Sequence, residues 1–520
     1  MISGRYLKIL VCLAAVAATA LRVSAAGKAE HVLLVVWDGM RPDFVRPNYT
    51  PTLYALAQQG VFFKNHHPVY VSSTEVNGTA IATGVFPNHS GVIANNEYRP
   101  EIGWLGPNAT EGLEMIRRGD FMTGGNYIRV RTVTEILHDN DITTVVAGTK
   151  PVALLHDRSN KRSGAATNSP VLYNGRSIPM SLAEQVEKVN DNKKFPTNAT
   201  PNSARDEWTV KGLTQVLWKK EVPKFSVLWL SEPDASQHAN SPGSETAIQA
   251  LESSDKRLAT VLKALEEKKV RDKTDIIIVS DHGFSSIARG VDLAETLKKG
   301  GFDATKRFED TEPGDVMVVG LGGSALIYVV DHDEAVIRKI AEFLQGTDFA
   351  GVIFSQLQIE GTFPLSLARM DPTNTSPDLV VSFRWTDERN DFGAPGFVIS
   401  EGGKRGGGTH ASLSRFDMHN TLIAQGPNFR RAFINPLPSA NTDVAPTILA
   451  LLGVKPPRPM DGRVLTEAVV NGNAPAGKPE TKTIEASRDL GLRQWKQYIK
   501  TTSFGGTFYI DEGNGESVQK

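Results

Sequence analysis

Acidic and histidine side chains stand where several apolar, strand-like runs of this sequence end. One run leads into a lone aspartate, a second into an aspartate with a histidine four residues later, and a third into an adjacent Asp-His pair, while a further histidine lies in a glycine-rich stretch. Ligands of open α/β sheets collect at the carboxyl ends of strands, and imidazole nitrogen with carboxylate oxygen suits zinc or another first-row metal. The candidate ligands are Asp38, Asp234, His238, Asp281, His282 and His410.

Taken singly, these residues also have simpler explanations. Asp38 could cap a helix or shape a turn, and Asp234 with His238 could be a pair on one exposed helical face. His410 could mark a mobile loop. The metal hypothesis therefore depends on the whole set and not on any one member.

A second Asp-His pair in the chain tests how specific the pattern is. Asp331-His332 also follows a strand-like run, but the acidic residues and helical periodicity after it favour helix capping. Asp281-His282 is instead followed by Gly283, whose backbone freedom allows both side chains to approach one ion. We therefore keep only Asp281-His282 as metal ligands.

A candidate nucleophile lies in the segment 72–84, which reads as a short helix that stops at Gly84. Thr74 stands near its start, where free backbone amides and the positive end of the helix dipole favour a phosphate. A threonine hydroxyl attacks only when a metal or a base lowers its proton affinity. The alternative is that Ser72, Ser73 or Thr74 merely caps the helix.

The pattern of strands and helices that must position these residues predicts an α/β fold. Near-continuous apolar strands alternate with helix-period segments, which indicates a parallel or mostly parallel sheet covered on both faces. We predict strands at His31–Trp37, Thr143–Ala147, Phe225–Leu230, Asp275–Ser280, Ser324–Val330, Asp378–Ser382 and Thr421–Ala424. We predict helices at Thr50–Gln59, Glu207–Lys220, Glu245–Lys268, Glu334–Gly346 and Thr442–Leu452.

Composition narrows the functional classes. The 520 residues are 40% hydrophobic and 22% charged, as in ordinary globular proteins, and the net charge of −1 gives no support to binding of a nucleic-acid polymer. The single cysteine, Cys12, excludes disulfide scaffolds and thiolate metal sites from the rest of the chain. We expect a small-molecule substrate, and the oligomeric state stays open.

The first 25 residues read as a secretory signal. A basic start, an apolar run of 13 residues at Ile9–Leu21 and small residues before a cleavage site fit that pattern, and the run is too short to span a bilayer. A lipoprotein is a minor alternative. Asn77 lies in an Asn-x-Thr glycosylation triplet near the proposed nucleophile, so either it is buried or the host does not glycosylate it. We expect a periplasmic or secreted bacterial enzyme.

The candidate residues follow one another in a recognisable order, which is Asp38, Thr74 with Asn77 and Thr83-Gly84, Asn95, Asp234-x-x-x-His238, Asp281-His282 and His410. This order resembles the alkaline phosphatase superfamily, and its type I phosphodiesterase/nucleotide pyrophosphatase family is the most similar branch. The resemblance extends from about His31 to Leu465 and includes an ending, Asn441 to Gly462, similar to that of the family. It implies an alkaline-phosphatase-like three-layer sandwich with a mostly parallel central sheet and inserted cap segments.

The resemblance also implies how the site works. Two zinc ions would be held, one by Asp234, His238 and His410, the other by Asp38, Asp281, His282 and the Thr74 oxygen. Thr74 would become an alkoxide, attack phosphorus and form a phospho-threonine intermediate, and two cations suit such an in-line displacement. Asn95 would donate to a non-bridging phosphoryl oxygen.

Two features depart from the family pattern. Glu75 follows the nucleophile where many members have phenylalanine, so its carboxylate should point away from the phosphate or engage a cation. Lys150, in Gly148-Thr149-Lys150, is a candidate phosphate or carboxylate contact, as in the related phosphonoacetate hydrolases, although a solvated surface lysine is the simpler alternative.

These observations favour an exported two-zinc phosphodiesterase or nucleotide pyrophosphatase. A phosphomonoesterase, a phosphonoacetate-hydrolase-like enzyme and a non-catalytic secreted binding protein remain alternatives. A sulfatase is excluded because the chain after its signal lacks the Cys/Ser-x-Pro-x-Arg segment. We expect a catalytic domain over residues 30–470 with a cap-like insert at about 151–223, then a linker and a peripheral tail over 471–520.

Overall fold

The computed structural model describes residues 29–157, 169–373 and 375–520. The expected signal segment, residues 1–25, lies outside this range. Within the described residues, no helix has both the length and the apolar character that crossing a bilayer requires.

The strands are given in chain order. They are β1 His31–Trp37, β2 Val61–His67, β3 Asn96–Glu97, β4 Asn108–Ala109, β5 Thr144–Gly148, β6 Val171–Tyr173, β7 Arg176–Ile178, β8 Phe225–Leu230, β9 Thr274–Val279, β10 Ser285–Val291, β11 Ala304–Thr305, β12 Val316–Gly320, β13 Ser324–Val329, β14 Ala350–Ser355, β15 Phe363–Pro364, β16 Leu379–Phe383, β17 Trp385–Arg389, β18 Pro395–Glu401, β19 Gly408–Thr409, β20 Leu422–Gln425, β21 Phe433–Ala440, β22 Glu480–Asp489, β23 Arg493–Phe504 and β24 Thr507–Gln519.

The α-helices are numbered in the same way. They are α1 Pro51–Gln59, α2 Thr74–Thr83, α3 Pro87–Ser90, α4 Leu113–Met122, α5 Val133–His138, α6 Ser181–Val189, α7 Ser203–Lys211, α8 Asp234–Asn240, α9 Glu245–Glu267, α10 Leu293–Lys299, α11 Glu334–Gln345 and α12 Val444–Leu451. The predicted helices coincide with α1, α7, α9, α11 and α12 to within a few residues; α7 continues as a π-helix over Gly212–Leu217.

The predicted α/β class with a mostly parallel central sheet is confirmed. The central sheet has nine strands in the order β21-β2-β20-β9-β1-β8-β5-β6-β7. Strand β1 pairs in parallel with both β8 and β9, and β5 pairs in parallel with β8. Strand β20 is antiparallel to both of its neighbours. The centre of this sheet is therefore parallel, with antiparallel pairs toward its edges.

Two predicted strands belong to a different sheet. The runs at 324–330 and 378–382 form β13 and β16, which lie in a six-stranded sheet of order β11-β12-β13-β16-β14-β15 and pair with each other in antiparallel fashion. Both strands are buried on both faces, so their apolar runs resemble those of a central parallel strand. The assignment of these runs to the parallel sheet was therefore wrong.

Strand β1 shows how the central sheet supports the site. Val32, Leu34 and Val36 pack into the core on one face of the sheet, and Leu33, Val35 and Trp37 pack into the core on the other. This alternation follows from the two-residue period of a strand. The position of the residue after Trp37 is thus set by packing on both faces.

The insert and the tail are both built into the fold. The segment 151–223 contributes β6 and β7 to an edge of the central sheet and supplies α6 and α7. Strands β22, β23 and β24 form a separate antiparallel sheet. Trp495 and Ile499 from this sheet are fully buried in the cores beside the six-stranded sheet.

Candidate functional site

Three neighbouring strands bring the predicted acids together. Because β9, β1 and β8 are parallel neighbours, their carboxyl ends meet at one edge of the sheet. Asp38 follows β1, Asp281 and His282 follow β9, and Asp234 begins α8 just after β8. The Gly39 N–H donates to Asp281 Oδ1 at 3.0 Å, and the Asp234 N–H donates to the Asp38 backbone oxygen at 3.0 Å. The three strand ends are thus bonded to one another.

His410 reaches the same edge from a distant part of the chain. It follows β19, which pairs in antiparallel fashion with β10, the strand that begins just after the Asp-His pair. His410 Nδ1 contacts the Ser72 backbone oxygen at 2.8 Å, and His238 Nδ1 contacts the Gly408 backbone oxygen at 3.0 Å. Each Nδ1 therefore donates, which leaves Nε2 as the lone-pair atom. These Nε2 atoms lie 3.3 Å (His238) and 3.7 Å (His410) from Asp234 Oδ1.

A second group surrounds His282. Its Nδ1 contacts the Gly283 backbone oxygen at 2.8 Å, and its Nε2 lies 3.6 Å from Asp38 Oδ1 and 3.3 Å from Asp281 Oδ2. Thr74 Oγ1 is 3.3 Å from the same Nε2. The other three residues predicted to share this ion, Asp38, Asp281 and Thr74, therefore each place an oxygen within 3.6 Å of His282 Nε2.

The donor atoms fit divalent cations. The ligand atoms of Asp234, His238 and His410 lie within 4.8 Å of one another, and so do those of Asp38, Asp234 and His282. Three buried carboxylate oxygens at this point, on Asp38, Asp234 and Asp281, have no hydrogen-bond partner in the part of the chain that the structure describes. Buried carboxylates are ordinarily paired or coordinate a metal. Nitrogen and oxygen donors arranged in this way suit zinc.

Thr74 begins α2, a helix whose residues are all buried. The helix ends at Gly84, which has the left-handed φ of 73° that glycine adopts without strain. Asn77 fixes its start, since its Oδ1 accepts from the Val69 N–H at 2.7 Å and its Nδ2 donates to the Ser73 backbone oxygen at 3.1 Å. Asn77 is completely buried, so in the folded chain it is not accessible to a glycosylating enzyme.

Asn95 lies beside the start of α2. Its Oδ1 accepts from the Glu75 N–H at 3.1 Å, which leaves Nδ2 available as a donor. Asn95 also lines a cavity of about 410 Å³ together with Ser73, His238 and His410. Asn95 thus lies between the start of α2 and this cavity.

Lys150 is not a solvated surface lysine. Its Nζ lies 3.0 Å from Asp38 Oδ2, 3.1 Å from Asp234 Oδ2 and 3.4 Å from Thr74 Oγ1. Burial lowers the pKa of Lys150, but the charges of Asp234 and Asp38 raise it more, so the pKa stays well above its ordinary value. The ammonium group is therefore a fixed positive charge between the two candidate ligand groups.

The site carboxylates differ in their electrostatic environment. Burial, and then the charge of Asp281, raises the pKa of Asp38 well above its ordinary value. Burial also acts to raise the pKa of Asp234, but Lys150 and His238 outweigh it, and the pKa lies well below its ordinary value. One Lys150 ammonium thus offsets only part of the negative charge, and the remainder favours a further cation.

Glu75 is buried next to this charge cluster. Burial raises its pKa well above the ordinary value, the neighbouring Glu111 raises it further, and the positive charge of Lys150 acts in the opposite direction. Burial and Glu111 are thus the dominant influences on the Glu75 carboxyl group, and Lys150 is a weaker electrostatic one.

Sequence reasoning assigned no role to Asn441, which lies directly behind the site. Its Nδ2 donates to Asn77 Oδ1 at 2.9 Å and to the Asp281 backbone oxygen at 2.7 Å, so it joins α2 to the end of β9. The sequence signals were its place at the head of the Asn441-Thr442-Asp443 turn before α12 and at the start of the family-like ending. Neither signal indicates contact with residues more than 150 positions away.

Comparison with known proteins gives one family. The family model described as type I phosphodiesterase / nucleotide pyrophosphatase matches residues 32–385. Human ectonucleotide pyrophosphatase/phosphodiesterase family member 5 is 24% identical over 274 residues, which is 52% of this chain and 48% of that protein. The venom phosphodiesterase of Naja atra is 26% identical over 263 residues, 49% of this chain and 26% of that protein. The matches thus cover half or less of these relatives.

Solved structures show the same fold. Murine ectonucleotide pyrophosphatase/phosphodiesterase 5 superposes with a TM-score of 0.60 at 17% identity and covers 85% of this chain and 100% of its own. An inactive threonine-to-alanine form of that murine protein, in complex with AMP, gives a TM-score of 0.59 at 16% identity, with 85% and 100% coverage. At these identities the likeness establishes the fold.

Proposed function

Because the chain belongs to the type I phosphodiesterase/nucleotide pyrophosphatase family, we propose that it is an exported two-zinc hydrolase of phosphoric diesters and pyrophosphates with Thr74 as nucleophile. The observation that carries the proposal is the adjacency of the two Asp/His groups, one of which contacts Thr74 through His282, with three carboxylate oxygens that have no hydrogen-bond partner among the described residues. A nucleotide is a fitting substrate, since the murine structural relative binds AMP. Export accords with the signal-like first residues.

The two zinc ions would be held by the two groups described above. Asp234, His238 and His410 would form one site, and Asp38, Asp281, His282 and the Thr74 oxygen the other. When bound, zinc would lower the proton affinity of the Thr74 hydroxyl and offset negative charge on the phosphoryl oxygens.

Side chains of the protein itself attack and position the phosphoryl group. Thr74 Oγ1 attacks phosphorus while the bond to the leaving oxygen breaks in line, which gives a phospho-threonine that water later hydrolyses. Asn95 Nδ2 donates to a non-bridging oxygen and holds the phosphoryl group in place. Lys150 Nζ, 3.4 Å from Thr74 Oγ1, donates to a second oxygen and counters charge that accumulates in the transition state.

A second candidate is a phosphonoacetate-hydrolase-like reaction. The observation that favours it is the partly exposed Lys150 ammonium, which could bind the carboxylate of a small phosphonate as well as a phosphoryl oxygen. Release of phosphate from phosphonoacetate, with slower turnover of diesters, would select this alternative.

The proposal is tested with the purified full chain on an aryl nucleotide diester, an aryl phosphate and an aryl sulfate. We expect diester hydrolysis that a chelator abolishes and zinc restores. Thr74→Ala should lower kcat by about a thousandfold or more, because loss of a nucleophile removes the covalent route. Thr79→Ala is the matched control, since Thr79 lies on the same helix, is buried, and its hydroxyl has no partner to lose.

The phospho-enzyme gives an independent readout. Acid-quenched wild type should carry phosphate on the peptide that contains Thr74, and Thr74→Ala should carry none. Undiminished activity in Thr74→Ala, or activity that is insensitive to chelation, would overturn the proposed function.

A further inference from the structure

A second cavity lies at the end of the nucleophile helix that is remote from Thr74. Its volume is about 410 Å³, and Thr83, the last residue of α2, lines it. Thr74 begins this helix and Thr83 ends it, so at about 1.5 Å of rise per residue they lie roughly 14 Å apart along its axis. A ligand in this cavity therefore occupies a place separate from the candidate catalytic site.

Arginine is the only charged residue type among the described residues that line this cavity. Arg129, Arg131 and Arg458 all line it, and none of the described lining residues is acidic. Arg131 pairs with Asp139 at 3.0 Å, whereas Arg129 and Arg458 form no ion pair with any described residue. Arg129 Nη1 donates to the Asn88 backbone oxygen at 3.5 Å. Two of the three guanidinium charges thus have no counter-ion in the described part of the chain.

The acidic residues beside the cavity are engaged by other groups. Asp461, which follows the lining residue Met460, accepts from the Phe86 N–H at 2.8 Å and contacts His89 Nδ1 at 2.7 Å. Glu97, which borders a narrow cleft on the other side of Arg129, pairs with Arg99 at 3.3 Å. Neither carboxylate lines the cavity, so an anion from outside would meet the arginines without competition there.

The backbone that carries these arginines is fixed to the rest of the fold. The Gly84 backbone oxygen accepts from the N–H groups of the two residues that follow Met460, both at 3.0 Å. Prolines stand directly before and after Arg458 and restrict the backbone on both sides of it. The Arg129 N–H donates to the Ser90 backbone oxygen at 2.9 Å. Binding an anion here would therefore need little ordering of the backbone, which favours affinity.

The rest of the wall is mostly apolar. Val85 and Ile136, which are almost fully buried, line it beside the partly buried Val130 and Met460. Small-molecule sites commonly combine such an apolar wall with a few polar groups that fix the orientation of the ligand. A ligand that suits this cavity therefore has an anionic head for the guanidinium groups and an apolar part for the wall.

We propose that this cavity is a second, non-catalytic site that binds an organic phosphate or phosphonate dianion with an apolar substituent. Arg129 and Arg458 bind the head, because guanidinium groups match phosphate oxygens through paired N–H donors. Two cations without counter-ions favour a dianion over a carboxylate monoanion. The apolar substituent packs against Val85, Ile136 and Met460. The site does not depend on the proposed hydrolase function, since none of its residues belongs to the catalytic site.

Hexylphosphonate is the probe, because it joins a phosphonate head to an aliphatic chain and has no ester bond to hydrolyse. Met460→Cys places a thiol in the cavity wall of the zinc-loaded full chain, and its rate of alkylation by iodoacetamide is followed by peptide mass spectrometry. The natural Cys12 lies on a different peptide. At about ten times its Kd, hexylphosphonate should slow this alkylation by about tenfold, since protection follows the occupied fraction. Methylphosphonate and hexanoate should protect far less at the same concentration.

Two double variants in the Met460→Cys background test the arginines. Arg129→Ala/Arg458→Ala should raise the Kd for hexylphosphonate by about tenfold, as two exposed charge contacts permit. The matched control is Arg338→Ala/Arg389→Ala, which removes two exposed arginines of α11 and β17 that do not line the cavity. It should keep the Kd of the parent. Inhibition of diester hydrolysis by hexylphosphonate measures binding at the catalytic site separately, and both double variants should leave it unchanged.

The outcomes distinguish this site from the catalytic one. Absence of protection by hexylphosphonate, or an unchanged Kd in Arg129→Ala/Arg458→Ala, would overturn the proposal. Equal protection by methylphosphonate would overturn the role of the apolar wall, and equal protection by hexanoate would overturn the preference for a dianion. Protection that persists in a chain without hydrolase activity would support this site while the proposed function fails.

Discussion

At the scale of single residues, the site is distinguished by buried charge that the chain does not neutralise. Asp38, Asp234 and Asp281 are buried within reach of one ammonium group, that of Lys150. Elsewhere a buried acid such as Asp443 is matched by a cation, Arg463, and by hydrogen-bond donors. The excess negative charge at the site is the residue-level reason to place divalent cations there.

Asp275 offers a pH test away from the site, at the opposite end of β9. It is fully buried, and burial raises its pKa to about 6 although Asn428 donates two hydrogen bonds to it. A carboxyl group whose folded pKa is raised binds its proton more tightly in the folded state. Its contribution to stability is therefore present at low pH and is lost as pH rises from about 4 through 6.

Asp275→Asn removes this pH-dependent loss. We expect the variant to resemble wild type near pH 4 and to gain up to about 3 kcal/mol over it above pH 7, because one pKa unit corresponds to about 1.4 kcal/mol. Urea denaturation across this range measures the difference. Asp272→Asn removes the same charge from an exposed neighbour and controls for the loss of one acidic group. A constant difference between Asp275→Asn and wild type would contradict the prediction.

At the scale of elements, the hydrophobic periodicity of the sequence predicted several strands and helices of the central sheet and its flanking layers. Strands β1 and β8 match the predicted bounds, and helices α1 and α9 differ from them by one residue. Asp38, Asp234, Asp281 and His282 were predictable because they follow strands, and parallel neighbouring strands end at one edge. His410 was a candidate from its place in a glycine-rich stretch, and only the family resemblance assigned it to a site, since the two-residue strand β19 that carries it is too short for periodicity to predict.

The turn before α12 makes a contact that no local pattern encodes. Asn441 joins Asn77 of the nucleophile helix to the backbone of Asp281, and its Oδ1 contacts His66 Nε2 at 2.9 Å. We expect Asn441→Ala to lower the free energy of unfolding by about 3 kcal/mol, because it leaves buried polar groups without partners. It should also weaken zinc binding, since the end of β9 is no longer tied to α2.

Asn435→Ala is the control for this prediction. Asn435 is also completely buried and lies on β21, the strand that leads into the turn, but its side chain bonds Glu467 and the Leu437 N–H, away from the site. It should lose stability while keeping zinc affinity, measured by calorimetric titration. If both variants bound zinc as wild type does, Asn441 would have a structural role only.

At the scale of the whole molecule, the second sheet and the tail could not be predicted from local pattern. The tail is rich in polar residues because β22–β24 expose one face, and such composition suggests a peripheral segment. The structure buries Trp495 in the core beside the six-stranded sheet. The tail also reaches toward the site, since Tyr509 Oη donates to Asp443 at 3.2 Å and Asp511 pairs with His67 at 3.0 Å.

If the tail unfolds cooperatively with the rest of the chain, a destabilising substitution in the tail should lower the free energy of unfolding of the whole molecule. Trp495 is fully buried, and its Nε1 donates to the Gly361 backbone oxygen at 2.8 Å. Trp495→Ala should lower the free energy of unfolding by about 4 kcal/mol, because it leaves a large cavity and an unpaired carbonyl group. Trp104→Ala, at a side chain that is 53% exposed, should cost far less. A single unfolding transition followed by both tryptophan fluorescence and zinc release would establish the coupling, whereas a tail that melts first with zinc retained would show that it is a separate unit.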